Sequence, residues 1–426
     1  MIGFSHRVAA FFLVSGFALA PISAARAQTA PAAAPTAPND AWPEGKGKDI
    51  VPVLCTSCHE GRRFTAGGGY TPEGWQTVLD MMKNIGAPIP ENRFDDIKQY
   101  LVANWPEKPK PKAVVIAGPV KVEFKSWPVP TPGSRPHDPL ATSDGAIWWS
   151  GQSANKLGRL DPKTGEMKEY PLKTPLSGPH GLIADKDGYI WYAANWAAHV
   201  GRLDPKTGEV TEYKMPDPKA RDPHTPLFDK GEKNMWFTLQ QANMVGRMNM
   251  ASKEIKLVTM PINRSQPYGM VFDSKGTVWF EEFGGPRLAS LDPETMALRE
   301  YTLPNADTRP RRLAITSDDV LWYTDYSRGA LGSFDPKTGV MKEWPSPSGP
   351  KTQPYGITAL NDILWYVEGN AKPNLLVRFD PKSEKFQSWE IPTGGGVVRN
   401  MMPTVDGKGL VIAESGVNRV GLIEIK

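Results

Sequence analysis

The chain has 426 residues, with 50 basic and 46 acidic side chains and a formal net charge of +4. This mild balance argues against nucleic-acid binding, which usually appears as a strong basic excess. The length leaves room for two or more domains, and 40 glycines with 42 prolines favour a turn-rich β protein over a helical one.

Residues 1–27 have the pattern of a cleaved secretory signal peptide. His6 and Arg7 precede an apolar run that is too short to span a bilayer comfortably, and the small residues Ala25 and Ala27 suit a signal peptidase. No later run is apolar enough for a membrane helix, so we expect no stable membrane insertion. The alternative is a retained anchor. Cleavage before Gln28 predicts a periplasmic protein.

A haem-attachment motif follows an Ala/Pro-rich linker at 28–43. Cys55, Cys58 and His59 form a CxxCH motif, and these cysteines are the only two in the chain. Two thiols at this spacing can form thioethers with the haem vinyl groups while the histidine ligates the iron. The alternatives are a disulfide or half of a zinc site, for which no second cysteine pair exists. The motif predicts covalently bound haem c.

Residues 44–106 predict a few short helices around this motif. Thr71 and Pro72 have the types expected at a helix N-cap and first position. Pro52 would kink the first helix or delay its start. Two apolar helical faces follow: Trp75, Val78, Leu79 and Met82, and then Phe94, Ile97, Tyr100 and Leu101.

This segment resembles the small monohaem cytochrome c domains that are fused to periplasmic proteins. In those domains the second helix often carries the distal methionine shortly before a Gly-Ala pair, as Met81 and Met82 precede Gly86 here. Met82 is the better match because it lies on the buried face, from which Met81 points about 100° away. The alternative is that Met82 only fills the core. Histidine–methionine ligation would suit electron transfer.

Residues 120–426, after a second linker at 107–119, predict a β-propeller. Tryptophans recur at intervals of 43 or 45 residues: Trp148, Trp191, Trp236, Trp279, Trp322 and Trp365. Each unit shows strand alternation and turn dipeptides rather than helical periodicity, which is typical of propeller blades. A β-solenoid or a sandwich is the alternative.

The ends of the repeat predict seven blades. Six units are complete, and a seventh begins near Gly394 but lacks its fourth strand. Residues 122–130 match the fourth strand of the other blades, so the N-terminal strand is expected to close the ring and remove an exposed edge. The predicted fold is therefore a small all-α cytochrome c domain followed by an all-β seven-bladed propeller closed by its N-terminal strand.

Residues that follow the blade prolines should line the central channel as a ligand-binding site. They are His137, His180, His224, Tyr268, Arg311, Tyr355 and Arg399. The arginines would suit an anionic or carbonyl-bearing ligand. Just past the tryptophans, Glu282 and its equivalents Asp325, Glu368 and Glu414 could ligate a divalent ion. The alternative is that these polar groups merely fill a wet channel.

The blade pattern (Pro-x-Gly, Asp-Gly, Trp-Phe/Tyr, Gly-Arg-Leu, Glu-Tyr…Pro) resembles the virginiamycin B lyase family. That resemblance implies seven blades and an elimination that opens a cyclic depsipeptide, with a histidine base and Mg²⁺. His180 and His224 match the family's histidine positions. Asp222 stands where the family has a metal-binding glutamate, and the next carboxylate position falls at Leu239.

Three functions are compatible with these patterns. The first is a periplasmic electron-transfer protein whose haem serves a propeller that binds a small molecule or a redox partner. The second is a divalent-metal-dependent lyase or lactone-type hydrolase, with His224 as the base and Asp222 on the metal. The third is a non-enzymatic scaffold that docks a periplasmic dehydrogenase. Since elimination needs no electron carrier, the haem motif favours the first.

Overall fold

The computed structural model describes residues 42–58 and 68–426, which form a short helical segment and a seven-bladed β-propeller. The predicted signal peptide and His59 lie outside the described residues. Among the described residues, none of the helices combines the length and apolar character needed to cross a bilayer.

The described residues of the helical segment form three α-helices and one short 3-10 helix. Pro52 lies in the first turn of the first helix, where the missing proline N–H costs nothing. Thr71 caps the second helix, since its Oγ1 accepts a hydrogen bond from the Gly74 N–H at 3.1 Å, as the sequence predicts. The helices are α1 (Val51–Thr56), α2 (Pro72–Asn84) and α3 (Phe94–Asn104), with the 3-10 helix at Glu91–Arg93.

One apolar core joins these helices. The indole N–H of Trp75 donates to the Trp105 carbonyl at 2.9 Å, which ties α2 to the residue after α3. Both predicted apolar faces contribute to the core, although Val78, Met82 and Phe94 are only half-buried. The buried members are Trp42, Val51, Trp75, Leu79, Ile97, Tyr100 and Leu101.

The propeller consists of seven four-stranded antiparallel sheets. Blades 1 to 3 contain β2 to β13: Pro136–Ala141, Ile147–Gly151, Lys156–Leu160, Met167–Pro171, Pro179–Ala184, Ile190–Ala194, His199–Leu203, Val210–Lys214, Pro223–Phe228, Asn234–Leu239, Met244–Asn249 and Ile255–Thr259. Blades 4 to 6 contain β14 to β25: Pro267–Phe272, Val278–Glu282, Arg287–Leu291, Leu298–Thr302, Pro310–Ile315, Leu321–Asp325, Ala330–Phe334, Met341–Pro345, Pro354–Leu360, Ile363–Glu368, Leu375–Asp380 and Lys385–Glu390.

The seventh blade confirms the predicted closure. It combines β1 (Val122–Pro128) with three C-terminal strands, in the order β1-β28-β27-β26. Val122 pairs with Ile425 and Pro128 with Arg419, so the first strand of the propeller completes its last sheet. The C-terminal strands are β26 (Val398–Pro403), β27 (Gly409–Glu414) and β28 (Arg419–Ile425), with a 3-10 helix at Ser415–Val417.

Four of the six repeated tryptophans (Trp148, Trp191, Trp322 and Trp365) stack on an aromatic ring of the fourth strand of their own blade. Trp191 lies 5.5 Å from Tyr213 with the planes 19° apart, and Trp365 lies 5.7 Å from Trp389 with the planes 18° apart. Such pairs contribute beyond the apolar area that they bury. The period of the sequence is therefore the period of these stacks.

The predicted linker at 107–119 lies along the sixth blade. Ala113 is buried in that blade's core cluster, and Lys112 bridges to Lys372. The Ile116 N–H donates to Ser388 Oγ at 2.8 Å, and the Ser388 N–H donates back to the Ile116 carbonyl at 2.9 Å. The segment is thus fixed to the propeller by backbone hydrogen bonds.

Helix α2 packs against the loop that precedes blade 1. Asn84 Nδ2 donates to the Pro132 carbonyl at 2.8 Å. Gly133 has φ +62°, and a Cβ there would lie 2.3 Å from the Met81 backbone nitrogen, so only glycine permits this approach. The helical segment therefore sits on the face of the propeller where the innermost strands begin.

Candidate functional site

The residues after the blade prolines converge on one ring at the channel. In each blade the innermost strand shifts register directly after its first residue, which is a proline in blades 1 to 6, as between Pro136 and Pro139, and Val398 in blade 7. A bulge of this kind leaves residues unpaired and changes the direction of their side chains. His137, His180 and His224 are each 2–3% exposed, so all three are buried.

Three imidazoles and a phenol form a continuous arc. The ring centroids of His137 and His180 lie 3.7 Å apart, and those of His180 and His224 also lie 3.7 Å apart. Tyr268 continues the arc at 3.9 Å from His224. The sequence-predicted positions from blades 1 to 4 are thus brought together.

Two tyrosines and an arginine form the side of the channel ring opposite the histidines. The hydroxyls of Tyr268 and Tyr355 lie 2.6 Å apart. Arg311 stacks over the Tyr355 ring at 4.0 Å and donates from Nη2 to its hydroxyl at 3.1 Å. Arg311 also lies over Tyr326, at 4.2 Å. Arg399, at the seventh position, is half-buried, and its Nε has no partner among the described residues.

A second set of polar residues, which the sequence analysis missed, lies one position further along the innermost strands. Asp138 accepts from Arg312 at 3.0 Å and from Asn400 at 3.1 Å, which joins blades 1, 5 and 7 across the channel. Its carboxylate also lies 2.8 Å from His137 Nδ1. The signal available in the sequence was that Arg312 and Asn400 each follow a predicted channel residue.

The environment makes the histidines neutral and favours a tyrosinate. Burial, helped by nearby arginines or by the neighbouring imidazoles, holds the pKa values of His137, His180 and His224 well below 6.5. Burial opposes ionisation of Tyr355, but Arg311, Arg399 and Arg312 outweigh it and lower the pKa of Tyr355 to about 7. Burial and the neighbouring Tyr355 raise the pKa of Tyr268, so Tyr268 stays protonated and its hydroxyl donates a hydrogen bond to the Tyr355 oxygen.

The predicted carboxylates are engaged elsewhere. Glu282 is fully buried and paired with Arg287, and burial raises its pKa to about 7. Asp222 accepts from Asn195 and from the Gln241 N–H, and burial raises its pKa to about 7. The equivalent carboxylates of the other blades are also engaged by other residues: Asp325 with Arg328, Glu368 with Ser348, and Glu414 with Ser126 and Thr393.

One group of potential metal ligands is assembled in the part of the chain that the structure describes. It consists of His137, Asp138 and His180, whose ligand atoms all lie within 4.8 Å of one another. Asp222 and Glu282 are not in this group. Leu239, at the position where the family has a carboxylate, is fully buried in the apolar core of blade 3.

A cavity of about 500 Å³ lies in the helical segment. Cys55 and Cys58 contribute to its wall, and Met81 and Met82 both line it, so the cavity does not separate the two methionines. Both thiols are free, and burial with the neighbouring Cys58 raises the pKa of Cys55 to about 11. The rest of the wall is mainly apolar, and it includes one propeller residue, Arg135.

Comparison with known proteins shows which family and which solved structures the propeller is similar to. A profile of the virginiamycin B lyase family matches residues 116–347. A streptogramin B lyase structure is 24% identical, with a TM-score of 0.65, over 72% of this chain and 98% of its own. A virginiamycin B lyase from Staphylococcus aureus is 22% identical, with a TM-score of 0.65, over 71% of this chain and 99% of its own.

A hydrazine synthase structure from Kuenenia stuttgartiensis shares the fold at 13% identity and a TM-score of 0.58, over 68% of this chain and 96% of its own. A comparison with curated proteins found no match. At these identities the solved structures establish the propeller fold, and the profile covers more than half of the 426 residues.

Proposed function

The chain belongs to the virginiamycin B lyase family, and from that premise we propose that it is a periplasmic electron-transfer protein in which a cytochrome c-like segment serves the family's propeller. The observation that carries the proposal is the helical cavity, because both cysteines and two methionines line one mainly apolar space. Its volume of about 500 Å³ falls in the range of ~300–1,000 Å³ that is usual for ligand pockets.

The residues present fit a covalently held haem. Cys55 and Cys58 are free thiols, which is the state that thioether formation requires. Met81 and Met82 supply a candidate sixth iron ligand, and His59, outside the described residues, would supply the fifth. When bound, the haem would supply one-electron chemistry, and His–Met ligation would raise its potential. Leu54, Trp75 and Leu79 would exclude water from it.

The test measures bound haem in the exported, full-length protein. We expect haem that remains attached on denaturing gels and a reduced-minus-oxidised difference spectrum of the c type. Cys55→Ser combined with Cys58→Ser should abolish both. A colourless wild-type protein would refute the proposal.

Substitution of each methionine distinguishes the two candidate ligands. We propose Met82 as the ligand, so Met82→Ala should remove the far-red band of methionine-bound ferric iron and lower the potential. Met81→Ala is the matched control, because Met81 lines the same cavity one residue away. A loss of the band in Met81→Ala alone would transfer the assignment to Met81.

The proposal also covers the cellular location of the protein and its redox partner. Haem attachment to a CxxCH motif needs an exported chain, which agrees with the predicted signal at 1–27. The haem would exchange electrons with a periplasmic redox partner, such as a dehydrogenase that supplies them. Cell fractionation tests the location. Co-purification from periplasm tests the partner and also the scaffold alternative, in which the dehydrogenase binds but the propeller has no ligand of its own.

A lyase or lactone-type hydrolase is the second candidate. The observation that favours it is the contact of His180 and His224, the two positions that match the family's histidines, at 3.7 Å. One S. aureus virginiamycin B lyase structure holds quinupristin in a histidine-to-alanine variant that is described as catalytically inactive. Neutral His224 could act as a base, but Leu239 removes one metal ligand.

Metal analysis tests this second candidate. A lyase of this kind should bind Mg²⁺ or another divalent ion, and His224→Ala should abolish streptogramin opening while leaving the haem spectrum unchanged. Absence of a bound or bindable divalent ion in the wild-type chain, together with no opening of quinupristin, would exclude it.

A further inference from the structure

Two histidines and a carboxylate from blades 1 and 2 meet at one point of the channel ring. His137 and Asp138 lie on β2, and His180 lies on β6. The Nδ1 atoms of His137 and His180 lie 2.8 and 3.9 Å from the same oxygen, Asp138 Oδ1. All three side chains are buried. The group therefore offers two imidazole nitrogens and one carboxylate oxygen inside the protein.

A bulge in β2 directs two consecutive residues to this point. Neighbouring side chains of a regular strand point to opposite faces of the sheet. His137 and Asp138 lie between Pro136 and Pro139, where the register of β2 against β3 shifts and neither residue has a partner. The Asp138 N–H instead donates to Ser150 Oγ at 3.0 Å, which fixes the bulged backbone. Blade 1 can therefore supply both a nitrogen and an oxygen ligand.

Blade 1 is also the only blade with a carboxylate at this position of the innermost strand. A residue that the blade fold itself required would recur with the period of the repeat, so Asp138 is specific to the channel. The residues equivalent to Asp138 in blades 2 to 7 are Gly181, Thr225, Gly269, Arg312, Gly356 and Asn400.

His180 has one buried ring nitrogen without a hydrogen-bond partner among the described residues. This atom is Nδ1, and its distance of 3.9 Å from Asp138 Oδ1 is too long for a hydrogen bond. The rings of His137 and His224 lie on its two sides, with centroids at 3.7 Å, and restrict its rotation. A buried polar atom without a partner calls for an explanation such as a bound ion. Coordination to an ion between His180 and Asp138 would satisfy this nitrogen.

The spacing of the ligand atoms suits a metal ion. One ligand atom from each residue lies within 4.8 Å of the other two. Zinc binds histidine nitrogen and carboxylate oxygen at ~2.0–2.2 Å, so two ligand atoms of one tetrahedral ion lie about 3.4 Å apart. The distances of 2.8 and 3.9 Å to Asp138 Oδ1 lie on either side of this value. Without the ion, a hydrogen bond joins His137 to Asp138, and the ion would replace the shared proton.

Arg312 and Asn400 contact the carboxylate from blades 5 and 7. Arg312 Nη2 donates to Asp138 Oδ1 at 3.0 Å, and Asn400 Nδ2 donates to Oδ2 at 3.1 Å. Outer hydrogen bonds of this kind orient metal-ligating carboxylates. The charge of Arg312 opposes any cation, so it disfavours an ion held mainly by charge and favours one that gains from imidazole ligation.

We propose that His137, Asp138 and His180 form a binding site for a divalent first-row transition ion such as Zn²⁺. Imidazole suits zinc, iron, copper and nickel, whereas Mg²⁺ takes oxygen ligands. Three protein ligands leave a coordination position open, which is the pattern of catalytic rather than structural zinc sites. The site shares no residue with the helical cavity, so it does not rest on the proposed haem. It also differs from the Mg²⁺ site of the lyase candidate, in which Asp222 would bind the ion.

Zinc binding to the full-length, haem-loaded protein tests the site. Equilibrium dialysis with elemental analysis compares the wild type with His137→Gln, Asp138→Asn and His180→Gln. His199→Gln is the matched control, because His199 is a buried histidine of blade 2 that lies outside the group. We expect one zinc ion per chain in the wild type and the control. Each ligand variant should lose more affinity than the ~10–100-fold that outer-shell substitutions cost, and Mg²⁺ should not compete.

X-ray absorption at the zinc edge adds a measurement that the haem iron does not affect. We expect imidazole nitrogen and carboxylate oxygen ligands at ~2.0–2.2 Å in the wild type. A zinc ion surrounded only by oxygen would contradict the assignment.

The proposal is wrong if the wild type binds no zinc, or if Asp138→Asn and His180→Gln bind it as tightly as the control. It is also wrong if zinc is lost only in variants whose near-ultraviolet circular dichroism differs from that of the wild type, because misfolding then explains the loss. Loss of zinc in Asp222→Asn with full binding by Asp138→Asn would place the ion at the lyase position instead. A colourless protein would defeat the proposed function, and zinc binding to that chain would still test this site.

Discussion

Tyr355 is the residue of the channel ring whose charge depends most strongly on its neighbours. Its hydroxyl receives hydrogen bonds from Tyr268 and Arg311, at 2.6 and 3.1 Å. Despite burial, Arg311, Arg399 and Arg312 lower its pKa to about 7. A tyrosinate of this kind would titrate near neutral pH, about three units below the usual value of ~10.

A spectroscopic titration tests this state. We expect one phenolate to appear in the ultraviolet spectrum around pH 7, and we expect Tyr355→Phe to remove it. Tyr326→Phe is the control, because Tyr326 also lies against Arg311 but does not contact the Tyr268 hydroxyl. A wild-type titration that begins only near pH 10 would contradict the assignment.

The lowered pKa of Tyr355 also makes the free energy of unfolding depend on pH. The folded pKa of Tyr355 is below its unfolded value, so the ionised form stabilises the fold above pH 7, and this contribution is lost as pH falls through about 7. The stability of the wild type relative to Tyr355→Phe should therefore rise between pH 7 and 10, by up to ~1.4 kcal/mol per unit. Urea unfolding at several pH values measures it, and a flat difference would contradict the prediction.

For single residues, the sequence predicts the place of a side chain in the blade repeat better than it predicts which other side chain it contacts. The residue after the first proline of a blade occupies an equivalent position in each blade, which is why the three histidines, Tyr268 and Arg311 lie together in the ring. The sequence does not reveal that Asp138 pairs with Arg312, 174 residues away, since only the closed ring brings blades 1 and 5 together. Nor does it show that Glu282 is taken by Arg287.

Among the structural elements, the third strand of a blade shows why the Gly-Arg-Leu pattern recurs. Gly201 lies beneath the ring of Tyr192 on the second strand, and a Cβ there would come within 2.1 Å of that ring. Gly158 lies in the same way under Trp149, and Gly246 under Phe237. The glycine leaves room for an aromatic residue that fills the space between strands.

Gly201→Ala should therefore destabilise the propeller. The added methyl group overpacks the core of blade 2, and we expect a loss of about 2–3 kcal/mol in the free energy of unfolding. Gly68→Ala is the control, because a Cβ at Gly68 meets no atom within 4 Å. Urea denaturation compares the two, and equal midpoints would show that Tyr192 moves aside without cost.

The helices and the linker differ in how far they could be predicted. Thr71 and Pro72 mark the start of α2 by local capping chemistry, which is readable from sequence. The segment 107–119 has the composition of a free spacer, but it pairs with blade 6 through Ile116 and Ser388. That pairing depends on the position of a distant strand, which composition does not encode.

For the whole molecule, closure of the ring depends on β1. Seven paired positions from Val122 to Pro128 cover the edge of β28, which would otherwise be exposed. We expect a chain of residues 130–426 to aggregate or dimerise through that edge, and a chain of residues 120–426 to remain monomeric. Light scattering after size-exclusion chromatography compares them. A stable monomer of the shorter chain would show that closure is dispensable.

The seven-bladed architecture and its closing strand were predictable because each blade repeats the same sequence period. The docking of α2 against the loop at Pro132 and Gly133 was not, since it depends on contacts between parts of the chain without a shared repeat. These contacts bring Arg135 to the cavity, and no local sequence pattern indicates them.

The pairing of β1 with β28 also sets an order of assembly. The strand that leaves the ribosome first in the propeller is the last to find its neighbour, because that neighbour ends one residue before the C-terminus. Contacts this distant in sequence form slowly. The unmatched edge of β1 would thus stay available to other chains throughout synthesis, well before the circle of blades is sealed.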